Sequence, residues 1–226
     1  MIVALRRKNV KGGRVPGARR PPLSRDRVLD AAVALVDRDG VDRLSMRRLG
    51  TELGVEAMTL YHYVPNKDAL LDGLVERVAR GARRVPVGPP DPWPVWLHRF
   101  ATAFRAELLR HPALVPLIAT RPVATAEGLH EAERIAAALR AAGFGPLAAF
   151  HVLNTVTTFV VGHVLAEAGS TPGQADLDLG ALRATVDPDE LPCFADAVRL
   201  GLGSPDDHEA RFRFALDALV AGFGSG

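Results

Sequence analysis

An all-α protein is predicted, on three observations. Apolar residues recur at helical spacing through most of the chain. Ser, Thr or Asn stands where several of these stretches begin, able to cap them. Convincing strand and hairpin patterns are absent from the sequence. Within that class the chain divides into a basic arm over residues 1–23, a small helix-turn-helix unit over 24–84 and a larger helical unit over 85–226.

Residues 1–23 are rich in Gly, Pro and Arg and lack apolar periodicity, so disorder is expected there. Ser24 caps a first helix whose Val28, Leu29, Ala32, Leu35 and Val36 share a face, and Asp39-Gly40 ends it. Ser45 caps the second helix, with Leu44 and Leu49 spaced as a hydrophobic staple. Gly54 closes that helix, and a short one follows from Ala57 to Tyr63, which Pro65 prevents from continuing. Asn66 caps a longer helix with Leu70, Leu71, Leu74, Val75 and Val78 turned inward. Four prolines between Val85 and Pro92 mark the boundary.

Beyond the boundary, Trp93, Trp96, Leu97, Phe100, Phe104 and Leu108 form a helical stripe that His111-Pro112 stops. A short piece near 113–119 and a helix from Thr125 to Ala142, closed by Gly143, come next. Residues 146–168 are β-branched in the middle but too long for a strand, so a buried helix is expected. A polar loop over 169–190 precedes helices at 191–201 and 205–224, the last with Phe212, Leu216, Leu219, Val220 and Phe223 on one face.

The net charge of +2 conceals an asymmetry. Residues 1–22 hold seven Lys or Arg and no acid, residues 24–84 hold eleven basic and ten acidic residues, and residues 85–226 hold ten and sixteen. Positive charge therefore gathers at the end where a polyanion would be met. The arm itself reads either as a contact to phosphates or as a solvated leader. The lone Cys193 forms no internal disulfide, consistent with a reducing cytoplasm, and its apolar neighbours predict a buried thiol. No run of about 18 uncharged apolar residues is present, so no membrane span is expected.

The stretch from Ser45 to Lys67 carries the functional signal. A helix reads a major groove only if it presents side chains to base edges while flanking groups grip phosphates. With Leu60 and Val64 inward beside Val55, the short helix offers Ala57, Met58, Thr59, Tyr61, His62 and Tyr63, and Ser45, Arg47 and Lys67 surround it as backbone clamps. Two tyrosines, a methionine and a histidine within six residues are an unusual free surface; the alternative is a packing module whose aromatics are core.

These residues also carry a resemblance. Arg27 to Gly50, continued by Leu60-Tyr61, Asn66-Lys67 and Ala69-Leu70-Leu71, resembles the TetR family of one-component repressors. Thr120-Arg121-Pro122, Gly143-Phe144, Leu191-Pro192 and Phe214 to Phe223 resemble that family's tetracycline-repressor branch. The resemblance implies a homodimer built through helices at about 146–168 and 205–224, a near-palindromic double-stranded DNA operator, and a small-molecule effector. It places the effector cavity among the helices of the larger unit, with Trp96, Phe100, Phe104, Leu117, Thr120, Phe150, Asn154, Thr157, Thr158 and His163 as candidate lining. The tetracycline repressors bind a magnesium–drug chelate, but here Leu117, Phe100 and Arg83 stand at a metal-binding histidine, a drug-gripping asparagine and a second histidine of that branch. A hydrophobic or aromatic effector with no metal and no cofactor is therefore expected.

Two other function classes compete. An enzyme is disfavoured by the absence of His-Glu-x-x-His, Gly-x-Ser-x-Gly, a Gly-rich phosphate loop or a cysteine cluster. A non-specific architectural DNA binder using the basic arm would show steep salt dependence and little sequence preference. Repression and activation are not distinguished by the residues.

Overall fold

The computed structural model describes residues 22–82, 85–121, 125–168, 187–204 and 206–224. The expectations for the basic arm and for most of the loop at 169–190 lie outside these residues, as does Arg83. The described secondary structure is helical throughout, with no strand among the described residues.

Helix α1 (Arg25–Asp39) starts at Ser24, whose hydroxyl accepts the Arg27 N–H at 3.2 Å, and stops at Gly40, where φ is +82°. Helix α2 (Met46–Leu53) starts at Ser45, whose hydroxyl accepts the Arg48 N–H at 3.3 Å, and ends at Gly54 in the left-handed conformation. Helix α3 (Ala57–Leu60) is shorter than the predicted 57–63. The chain from Tyr61 to Val64 continues as turns, with the Tyr63 and Val64 N–H groups both donating to the Leu60 carbonyl at 2.9 Å. Pro65 disfavours helix at Val64, which explains the early end. Helix α4 (Lys67–Ala82) begins where the Asn66 side-chain oxygen accepts the Ala69 N–H at 2.7 Å.

The larger unit comprises α5 (Trp93–Arg110), α6 (Val115–Thr120), α7 (Ala126–Ala141), α8 (Pro146–Ala168), α9 (Pro192–Arg199) and α10 (Asp207–Phe223). One core runs through both units. Leu29, Leu35, Leu49, Leu60, Leu70 and Leu74 fill the first; Trp96, Leu97, Leu108, Leu114, Val156 and Phe212 fill the second. Helix α4 belongs to both, packing against α1 on one side and α5 on the other.

A buried cation joins three helices of the larger unit. Arg105 on α5 forks onto Glu167 of α8, with Nε 2.9 Å from Oε2 and Nη2 2.7 Å from Oε1, and also pairs with Glu209 of α10. Its guanidinium lies 4.9 Å from the centre of the Phe212 ring. Satisfying every face of the charge is what makes its burial tolerable.

Two expectations are corrected. Cys193 is exposed, because α9 buries no residue within this chain. Helix α8, expected to be buried, has only 28% of its most apolar window buried here; with 23 residues and a mean hydropathy of 1.4 over that window, it is long and apolar enough by length and composition alone to cross a membrane. The sequence criterion missed it because its polar residues interrupt every long apolar run without lowering the average much.

Candidate nucleic-acid interface and cavity

The outer face of the helix-turn-helix is built around two inward anchors, Leu60 and Val64, both fully buried. With these fixed, Met58 is 71% and Tyr61 41% exposed, and His62 is also exposed. Thr59 is half-buried at the rim. Tyr63 is half-buried and packs against the core, so it does not stand free as expected; the chain there is a turn and no longer helix. Ala57 is half-buried where α3 meets α2. Ser45 is exposed with its hydroxyl engaged as a cap, and the side chains of Arg47 and Lys67 are exposed without an ion pair among the described residues. Arg48, by contrast, is held by Asp39 at 2.7 Å and braces α2 against α1.

The glycine that permits this approach is Gly50. A Cβ there would lie 2.8 Å from the Val55 carbonyl oxygen and 3.2 Å from the Ala57 nitrogen, both backbone. Sequence reading passed over it. Its signal is a glycine inside an amphipathic helix, which costs stability unless another backbone comes close.

The larger unit encloses a cavity of about 700 Å³. Its wall contains Phe100, Phe104, Thr120, Phe150, Asn154, Thr157 and Thr158 from the predicted set, together with Ala79 of α4, Ile118, Arg121, Glu131, Ile135, Leu153, Val161, Gly162 and Leu165. Phe100 and Phe104 stack, with ring centres 6.1 Å apart and planes 16° apart. Phe150 and Leu165 are partly exposed, so the mouth opens along α8.

Three predicted lining residues lie elsewhere. Trp96 is buried in the core one turn before Phe100, and Leu117 packs on the core one turn before Thr120. His163 turns toward α10: its Nε2 is 3.1 Å from the His208 carbonyl and its ring meets Phe212 edge-on at 5.2 Å. Burial lowers its pKa, favouring the neutral ring that donates to that carbonyl. Trp96 and Leu117 each lie one turn before a lining residue on the same helix, whereas His163 occupies a different face of α8.

Charge at the cavity is already committed. Arg134 holds Glu131 at 2.6 and 3.0 Å, and Arg121 reaches out of the wall to Asp68 and Asp72. The hydroxyls of Thr120 and Thr157 each donate to a carbonyl one turn back at 2.9 Å, leaving them as acceptors for an occupant. The arrangement favours a neutral, largely apolar molecule with a few donors.

Residues 28–74 match the family described as bacterial regulatory proteins, tetR family, and residues 85–225 match the tetracyclin repressor-like C-terminal domain. The chain belongs to the TetR family. It is 34% identical to tetracycline repressor protein class G from Vibrio anguillarum, over 89% of this chain and 93% of that protein. It is 40% identical to an HTH-type transcriptional regulator of Saccharopolyspora erythraea over 66% of this chain, and spans only 63% of that relative's length. Among solved structures, the Streptomyces coelicolor TetR family protein ActR in complex with actinorhodin matches with a TM-score of 0.74 and 29% identity, covering 91% of this chain and 98% of that one. The first two relatives are a repressor and a transcriptional regulator by name.

Within this TetR-family chain, one further convergence was invisible to sequence spacing. His163, Glu167 and His208 bring ligating atoms within 4.8 Å of one another, from two helices far apart in sequence. Both Glu167 oxygens are taken by Arg105, and Arg211 lies 2.9 Å from His208 Nδ1, so the donors already face arginines. The cluster sits outside the cavity.

Proposed function

We propose that this TetR-family chain is a ligand-responsive transcriptional repressor. It acts in the cytoplasm as a homodimer on a near-palindromic operator and is released by a small, neutral, largely apolar effector. The carrying observation is that the reading head and the cavity share α4: Lys67 opens the helix beside the DNA-facing residues, and Ala79 near its other end lines the cavity. An effector that favours the conformation with misplaced heads lowers operator affinity, and a hundredfold loss needs about 2.7 kcal/mol, an ordinary size for allostery. ActR with actinorhodin is a related protein with an occupied site, which supports the reading.

The dimer is supported by apolar surface left open on α8 and α10. Phe214 on α10 is 78% exposed, and Leu147, Phe150 and Leu165 on α8 are exposed as well. Phe150 and Leu165 also line the cavity mouth, so a second copy seated there would close it. A stable dimer buries about 1,200–2,000 Å² in total, which two such helices from each copy can supply. Phe214→Glu is expected to convert the dimer to monomer at micromolar concentration, read by sedimentation; a wild-type chain that is itself monomeric would refute this part.

The decisive experiment selects bound sites from a random-sequence DNA library. A palindromic site with half-sites about one helical turn or a multiple apart is the expected result. On that site, Tyr61→Ala is expected to weaken binding about tenfold, the value of one hydrogen bond to a charged group. Lys67→Ala is expected to weaken all sequences equally and to lower the salt slope by about one. Binding with no sequence preference would instead favour the architectural reading, and wild-type binding by both variants would overturn the docking geometry.

A further inference from the structure

His163, Glu167 and His208 converge where the start of α10 meets the last turns of α8. His163 and Glu167 are one turn apart on α8, so their side chains share a face, while His208 comes from the first turn of α10. No other group of three such donors lies within 4.8 Å of one another among the described residues. Two imidazoles and a carboxylate are a donor set that holds zinc.

The spacing suits an ion. Two ligands at about 2.0–2.1 Å from a tetrahedral zinc stand about 3.3 Å apart. His163 Nε2 is 3.7 Å from Glu167 Oε2 and 3.1 Å from the His208 carbonyl oxygen, close to that separation. A turn of the half-buried His208 ring brings in the remaining nitrogen. The ion also has a way in: His163 and Arg211 line an open surface hollow of about 480 Å³ with Ala210, Phe214 and Ala215.

The present partners of these donors can share them or let them go. Arg105 takes one lone pair on each Glu167 oxygen, and each oxygen has a second. A ligating carboxylate that stays hydrogen-bonded to an outer group is the usual arrangement, and Arg105 keeps Glu209 as well. Arg211 lies 2.9 Å from His208 Nδ1, but it is half-exposed and retains Asp207 at 3.2 Å when it swings away. His163 gives up its bond to the carbonyl and carries its proton on Nδ1 instead. We infer that His163, Glu167 and His208 bind one divalent transition-metal ion of the zinc type, which fastens α10 to α8. Imidazole donors favour such ions over magnesium, which takes oxygen ligands. The site lies outside the cavity and far along the chain from the reading head, so the inference stands apart from the repressor reading.

The test titrates zinc into the untagged full chain by calorimetry, with cobalt(II) as a spectroscopic stand-in. One ion per chain and a tetrahedral cobalt spectrum are expected. His163→Phe keeps a ring against Phe159 and Phe212, and His208→Ala removes a ligand from the other helix. Each is expected to weaken zinc binding by about a hundredfold or more, beyond the loss of about 10–100-fold that follows removal of an outer partner. His151→Ala, at an exposed histidine of the same helix, is expected to change nothing. Saturating zinc raises the melting temperature of the parent and of His151→Ala, and of neither ligand variant. Ligand substitutions on two helices keep the test decisive if one variant folds poorly. The inference is overturned if the parent chain binds no zinc, if millimolar magnesium displaces the cobalt, or if the ligand variants bind like the parent, which would put the ion on surface histidines.

Discussion

Gly50→Ala is expected to loosen the reading head and abolish most operator binding. In an unobstructed helix the change would stabilise by about 0.5–1 kcal/mol, since alanine is the better helix former. Here the added methyl meets the Val55 carbonyl oxygen at 2.8 Å and the Ala57 backbone at 3.2 Å, none of which can swing aside like a side chain. Helix α3 must move away from α2, and an overpacked contact of this sort costs about 1–3 kcal/mol. A loss near 2 kcal/mol in a chain of this size lowers the melting temperature by about 4–8 °C. Operator affinity falls about tenfold or more, since displaced side chains miss their base edges. Calorimetry and DNA titration check both; a raised melting temperature would falsify the close α2–α3 contact.

Glu76→Gln is expected to destabilise the joint between the units and to remove part of the acid sensitivity of the fold. The Glu76 side chain is 2% exposed and receives Arg25 at 3.2 Å and Arg80 at 2.7 Å. Burial alone would raise its pKa, but a hydrogen bond shared with Glu127 and those from Arg80 and Arg25 bring it from 4.5 down to about 2. The folded pKa is depressed, so the stabilisation is complete above about 4.5 and is lost as pH falls toward 2. The isosteric amide keeps the shape and gives up the charge. Because Arg25 and Arg80 are partly exposed and can rehydrate, the cost at pH 7 is set at about 2 kcal/mol, below the 3–5 typical of a fully buried pair. Urea midpoints measured from pH 7 to pH 3 are expected to fall more steeply for the parent chain than for the variant. Parallel curves would show that Glu76 does not carry this component.

Legibility in the sequence followed the range of the interaction. Ser24, Ser45 and Asn66 are caps because their side chains bond an N–H three residues on, and each does so, as does Thr125 at the start of α7. The 146–168 helix was legible from length alone. By contrast, Trp96, Phe100 and Phe104 repeat every four residues on one face of α5, and spacing did not say how far along that face the cavity extends. Hence Phe100 and Phe104 line it while Trp96 packs inside. Leu117 was misplaced for the same reason, whereas His163 was misplaced by face, since it turns to α10. The buried Cys193 was an inference from apolar neighbours, but neighbours in sequence on a short, unburied helix do not enclose one another.

By itself the sequence determined the helical class, the order and caps of the helices, and the outward face of the short helix after Gly54, because each depends on periodicity or on contacts within a turn. Only the tertiary structure decided that Gly50 seats α3, that Arg105 ties α5 to α8 and α10, and that Arg121 ties the cavity wall to α4. Those pairings join residues many turns apart, and which partner a charged or missing side chain finds is settled by how the helices pack.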